Sequence, residues 1–144
     1  FGFSVLILSI LLNNIFSSEI IANMKVGEKF SSKGVQITFN SIESVEHKNY
    51  RSIIGYFKIE DKQNNLVNLK PELRIYNQPV TITSEADIRT SLYSDKFLVM
   101  NLVKGNEYFN VRYQVKPFMI WIWISTLLLA TGGVLSLFQR VYEK

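Results

Sequence analysis

Few side chains in this sequence could do chemistry, and they fall into three groups. The one histidine, His47, lies in the polar stretch VEHKNY. A lone imidazole can ligate a metal ion, but in a polar loop it is more often plain surface. Glu72, Arg74 and Glu85 lie within Pro71–Arg89. Two carboxylates and a guanidinium can form an acid/base site, or can pair with one another on edge strands. Nothing in their spacing demands general acid/base catalysis, and pairing is the plainer reading. The third group is Trp121 and Trp123, whose indole rings favour a membrane–water interface. At i, i+2 on a helix they point to different sides, one to lipid and the other to a partner. The chain has no cysteine, which excludes a disulfide, a thiolate zinc site and a cysteine nucleophile.

The elements that must position these groups meet at VRYQVKPFMIWIW, Val111 to Trp123. Before Pro117 the residues alternate. Phe109, Val111, Tyr113 and Val115 share one side, and Asn110, Arg112, Gln114 and Lys116 the other. A period of two is a half-buried strand. After it, Phe118–Phe138 holds 21 residues without a charge. At about 1.5 Å per residue that is roughly 31 Å of helix, enough to cross a bilayer core. Pro117 stands at the join, where a first helical turn tolerates it. Gly132–Gly133 would let another helix approach closely, or is a tolerated small pair.

The other end is also apolar. Phe1–Phe16 is 16 residues without a charge, about 24 Å as helix and short of a span. It lacks the basic start and small-residue cleavage site of a signal peptide. We expect residues 1–17 to be the second half of a membrane helix. Residues 18–116 would then form a β-rich external domain, 117–138 a membrane helix, and 139–144 a tail on the opposite side.

The middle reads as strands. Val35–Phe39 alternates. Arg51–Glu60 is β-branched and aromatic, with Gly55 marking a bulge or a close approach. Leu66–Leu69, Leu73–Tyr76 and Val80–Thr83 are short extended pieces held near edges or loops by Pro71 and Pro79. Phe97–Val103 is the most apolar run and a candidate central strand. Turns are expected at Asp61–Asn65 and Lys104–Asn106. The expected architecture is a mixed membrane protein: helix, all-β extramembrane domain (small barrel or sandwich, with an OB-like form among the alternatives), helix. Ser18–Lys116 carries 14 basic and 11 acidic residues, too mild a balance for nucleic acid.

Several stretches, in order, resemble the end of the CcmF-type cytochrome c haem lyases. Val111-Arg112, Lys116-Pro117-Phe118 and Trp121-Ile122-Trp123 resemble a segment near the family's C-terminus. Gly2-Phe3-Ser4-Val5-Leu6 to Phe16-Ser17 looks like the last-but-one helix, and Val26-Gly27-Glu28 like the start of the domain that follows it. Asn49-Tyr50 matches a P-N-Y/W position, with Lys48 replacing the proline. Pro71–Tyr76 resembles E-K-R-x-Y with Leu73 in place of the lysine. Thr83–Ile88 resembles T-E-A-A-I with one extra residue. Ser91-Leu92-Tyr93 resembles D-L-Y with Ser91 replacing the acid, and Thr131-Gly132-Gly133 resembles L-G-G. Each motif is weak alone; the ordered set covers nearly the whole chain.

The resemblance implies a role in cytochrome c maturation. The family joins haem vinyl groups to the two cysteines of a C-x-x-C-H motif in apocytochrome c. Its haem-holding histidines and tryptophan-rich segment would lie on upstream sequence or a partner chain, so no catalytic residue and no metal ligand is expected here. Haem is the implied cofactor, not bound by this chain alone. Implied partners are an N-terminal haem-lyase subunit or upstream domain, apocytochrome c, a haem chaperone and membrane lipid. The location would be the mitochondrial inner membrane with the domain in the intermembrane space, or the bacterial inner membrane with it in the periplasm. The competing class is a non-catalytic accessory subunit whose β-domain is an interaction module. Under either, Glu72, Arg74, Tyr76, Glu85 and Arg112 are the expected docking residues, with an internal ion-pair set as the plain alternative.

Overall fold

Apolar residues spaced by two, as at Ile20, Ala22 and Met24, build strands that each bury one side. The computed structural model describes residues 1–63, 65–103, 105 and 107–142, without the side chains of residues 137 and 139–142. The order is α1 (Gly2–Phe16), β1 (Ser18–Met24), β2 (Lys29–Ser32), β3 (Val35–Glu46), β4 (Tyr50–Glu60), β5 (Leu66–Leu69), β6 (Glu72–Asn77), β7 (Val80–Glu85), β8 (Asp87–Thr90), β9 (Ser94–Leu102), β10 (Phe109–Pro117) and α2 (Met119–Tyr142).

The strands form two sheets. One has four strands in the order β1-β10-β9-β8; the other runs β2-β3-β4-β6-β7, with β5 also paired to β4. Two separate sheets make a sandwich, not the closed OB-like barrel held open as an alternative. In the second sheet every described pairing is antiparallel. The sheets are joined by side chains from both. Phe39 stacks on Phe57 with ring centroids 4.2 Å apart, and Phe109 meets Phe39 edge-on at 5.5 Å. Leu98, Met100, Val111 and Tyr113 complete the core with Ile37, Ile59, Leu69 and Leu73. Burying each phenylalanine contributes about 2–3 kcal/mol.

Gly55 marks a close approach. A Cβ there would stand 2.7 Å from the Phe57 ring and 2.9 Å from the Met100 sulfur. The bulge lies on β3 instead, between Phe39 and Ser41. Phe109, Val111 and Tyr113 are buried as expected and Val115 is half-buried. The Phe97–Val103 run lies inside its sheet, but only Leu98 and Met100 are fully buried. Three strands had no clear signal. In β1, Ile21 breaks the alternation; β2 and β8 are four residues each. The β2–β3 hairpin turns on Lys33 and Gly34, both at positive φ (51° and 78°), the geometry of a tight two-residue turn. The expected turns at Asp61–Asn65 and Lys104–Asn106 include residues 64, 104 and 106, which lie outside the described residues.

The chain divides into two compact units. The larger holds Glu19–Arg89 and Lys96–Gln114; the other holds Phe1–Ser18, Thr90–Asp95 and the chain from Val115. In the second unit α1 packs on α2. Gly2 lies against Leu128 and Leu129, and at the other end Asn13 Nδ2 donates to the Pro117 carbonyl at 2.6 Å. Ser9 and Ser125 are buried and satisfy themselves on carbonyls four residues back. Pro117 does not open the helix, as the sequence suggested. It ends β10, and Phe118, at φ 58°, turns the chain before α2 begins at Met119. A proline N has no ladder hydrogen to lose at a strand's end. The helix runs on to Tyr142, through the first part of the expected tail; residues 143 and 144 lie outside the described residues. Among the described residues one helix is long and apolar enough to cross a membrane, over Met119–Ser136; α1 is shorter.

Candidate functional site

Strand β6 alternates Glu72, Arg74 and Tyr76 with Leu73 and Ile75. Leu73 is buried in the core, so the charged set lies on the other side of the sheet. The register places Ser52 opposite Arg74 and Tyr50 opposite Tyr76 on β4. On β7 it places Glu85 opposite Glu72 and Thr83 opposite Arg74. Two carboxylates directly across a ladder repel. Arg74 resolves this. Its Nε donates to Glu72 Oε1 at 2.9 Å, its Nη2 to Oε2 at 3.3 Å, and its Nη1 lies 3.8 Å from Glu85 Oε1. The buried Ser52 donates to Glu72 Oε1 at 2.7 Å.

The electrostatics follow from these contacts. Arg74's hydrogen bonds hold the Glu72 carboxyl below the usual carboxylate range, against the opposing effect of burial and with help from Ser52. Glu72 first, and Tyr76 second, push the Arg74 guanidinium above its ordinary value. Both groups therefore stay charged through neutral pH, and neither is poised to exchange a proton. An aromatic strip continues the cluster. The Arg74 guanidinium lies 5.5 Å from the Tyr50 ring centre, Tyr50 is 5.3 Å from Tyr76, and His47 stacks on Tyr50 at 4.5 Å. Such a surface can present oriented charge and rings to a partner.

A family model described as the CcmF C-terminal β-sandwich matches residues 15–117. The chain belongs to this family. The cytochrome c-type biogenesis protein ccl1 of Rhodobacter capsulatus is 36 % identical over 119 residues, covering 83 % of this chain and 18 % of that protein. The cytochrome c-type biogenesis protein CcmF of Pseudomonas aeruginosa is 28 % identical over 142 residues, covering 99 % and 22 %. A solved structure described as the cytochrome c heme lyase CcmF is similar at a TM-score of 0.67 and 20 % identity, over 93 % of this chain and 22 % of that one. The likeness to that structure shows the fold. This chain spans about a fifth of the length of these curated relatives.

The stretch matched by the CcmF family model contains all five residues expected to dock, but the fold does not bring all five together. Glu72, Arg74, Tyr76 and Glu85 form one cluster. Arg112 lies on β10 in the other sheet, where its Nε is 3.2 Å from Glu19 Oε1, which also accepts from Gln114 at 2.8 Å. Its partner strand β1 was not read from the sequence, so this pairing was hidden. Ser52 and Tyr50 were missed as cluster members. A polar Ser52 within the β-branched stretch RSIIGYF was the available sign. Of the two indoles, Trp121 donates its N–H to the Leu92 carbonyl at 3.1 Å, and Trp123 is exposed. Among the described residues, nothing lies within 4 Å of where a Cβ would stand on Gly132 or Gly133; the close helix contact uses Gly2.

The CcmF family implies haem, and the residues here fit it poorly. His47 is the one imidazole, and its ring already stacks on Tyr50. The hollow beside it, about 290 Å³, is lined by Glu46, Tyr50, Arg51, Ile75 and Asn77. A macrocycle with apolar faces needs mostly apolar walls. Among the described residues no three His, Cys, Asp or Glu side chains gather as metal ligands.

Proposed function

We propose that this chain is the C-terminal β-sandwich part of a membrane haem lyase, and that it serves cytochrome c maturation by docking rather than by holding haem. The match of the family model across residues 15–117 carries the reading. The names of the relatives support the process, and the ion-locked Glu72–Arg74 cluster supports a binding role over proton transfer. Haem-holding residues would come from upstream sequence or a companion chain. The partners would be that haem-binding part, apocytochrome c, a haem chaperone and lipid. Glu72, Arg74, Tyr76 and Glu85 form the proposed docking face; Arg112 would act separately.

The helix over Met119–Ser136 supports a membrane span, with the sandwich on one side and the chain beyond Phe138 on the other. The bacterial relatives favour a bacterial inner membrane; by the resemblance the sandwich would face the periplasm there, or the intermembrane space in a mitochondrial equivalent. Gly132 and Gly133 would receive a helix from the companion part.

The test is to express the full chain with its haem-binding partner and introduce Glu72→Gln and Arg74→Gln. Reduced haem attachment to cytochrome c or reduced co-purification, with circular dichroism unchanged, supports docking. Unfolding of the sandwich would show that the cluster is structural, and wild-type maturation with normal co-purification would remove the docking face.

A further inference from the structure

The turn between β8 and β9 has an unusual tip. Turn tips are ordinarily polar, yet Leu92 is 62 % exposed and Tyr93 72 %. The turn is closed on itself. The Ser91 N–H donates to the Ser94 carbonyl at 3.1 Å, the Ser91 hydroxyl donates to the same carbonyl at 2.7 Å, and the Ser94 N–H donates to Ser91 Oγ at 3.1 Å. No charge occurs from Thr90 to Ser94. Scattered exposed apolar residues need no explanation, so the deciding observation is what holds this turn.

It is held by the start of α2. The Phe118 N–H donates to the Tyr93 carbonyl at 2.9 Å, and the Trp121 indole N–H donates to the Leu92 carbonyl at 3.1 Å. Thr90–Asp95 accordingly clusters with the helices in one compact unit. These bonds place the tip at the level of residues 118 to 121, within about one turn, roughly 5 Å, along the helix axis. Trp123, 66 % exposed, follows two residues later, about 3 Å further along the helix.

We propose that the Ser91–Ser94 turn is a second membrane contact, with Leu92 and Tyr93 seated at the lipid headgroup–acyl boundary beside Trp121. The inference rests on reading Met119–Ser136 as a span. The occupant is lipid because the tip is bonded to the first turn of that span and shares its depth. Its side chains are of the kind that belong there: an amphipathic tyrosine, an indole and a leucine, with no charge to desolvate. Ser91 suits the site. It accepts the Ser94 N–H through a neutral oxygen.

The chain lacks cysteine, so single substitutions give unique labels. Leu92→Cys, Tyr93→Cys, Leu128→Cys and Val80→Cys are each labelled with a nitroxide in the full chain. The chain is reconstituted in phosphatidylcholine–phosphatidylglycerol vesicles, and the label's accessibility to oxygen and to a water-soluble nickel chelate is read. The oxygen-to-nickel ratio should be highest at Leu128, lowest at Val80 and intermediate at Leu92 and Tyr93. If Leu128 is deep but both turn labels match Val80, the turn is in water and the inference fails while the span stands. Turn labels shielded from both reagents would mean that protein covers the tip, which also overturns it. An aqueous Leu128 would remove the span and the inference together.

Discussion

Two arginine–glutamate pairs stand on the two sheets, and the same chemistry reaches different ends. On β10 and β1, Arg112 meets Glu19 at 3.2 Å, with both side chains about half exposed (50 % and 44 %). On β6, Arg74 grips both oxygens of Glu72, and the exposures fall to 33 % and 22 %. Ser52 below, Glu85 across the ladder and Tyr50 alongside tie Arg74 and Glu72 into a network. An exposed pair contributes little, even with the Gln114 amide also on the Glu19 carboxylate, because water competes and long side chains must be ordered. A networked, partly buried pair has its geometry set by neighbours, and losing one member leaves the other poorly solvated. The difference comes from position in the sheet, not from residue type.

The largest effect should come from the core on which both pairs depend. Val111 is fully buried on β10. Val111→Asp should cost several kcal/mol and unfold the sandwich, seen as loss of the cooperative thermal transition. A normal melt would reject the register that directs Arg112 outward.

Next comes the network. Glu72→Gln should lower stability by about 1–2 kcal/mol at neutral pH, in line with a hydrogen-bonded charge. The pH dependence has a definite sign. The folded carboxyl titrates below its ordinary value of 4.5. Its contribution is therefore present above that value and lost as pH falls through the lower folded value. Urea midpoints measured between pH 6 and 3 should fall less steeply in Glu72→Gln than in the wild type. Equal slopes would show that the pair is worth no more than the Arg112 pair.

A smaller effect appears at alkaline pH. Burial pushes the Tyr113 hydroxyl up to about 12. The unfolded chain ionises near 10, so stability is complete below that and is lost as pH rises toward 12. Tyr113→Phe should remove this alkaline loss, followed by circular dichroism between pH 9 and 12. The smallest effect is expected from Glu19→Gln, within about 0.5 kcal/mol. A larger loss would put the two pairs in one class after all.

Much of the candidate site was legible before its geometry was known. Alternation in ELRIY placed Glu72, Arg74 and Tyr76 on one side of a strand. It could not assign their partners. Ser52 lies 20 positions from Glu72, and Tyr50 26 from Tyr76; only the β4–β6 register brings them opposite. Arg112 was grouped with the wrong carboxylates for the same reason. It faces a strand some 90 positions away, in which Ile21 disguises the period.

By itself the sequence determined what depends on local periodicity: the alternating strand up to Lys116, the uncharged helix after it, and the separation of a polar β-region from apolar ends. Side-chain alternation and helix length are properties of neighbouring residues, so no fold is needed to read them. Tertiary structure decided the rest. It chose two sheets over a closed barrel, ended β10 at Pro117 with Phe118 turning the chain, and bonded the Ser91–Ser94 turn to the start of α2. It also made one arginine part of a network and left the other in an exposed pair. Each of these turns on which distant strands share hydrogen bonds. That choice is made by burial of the whole core, with Phe39, Phe57 and Phe109 closing across both sheets, and not by any local run of residues.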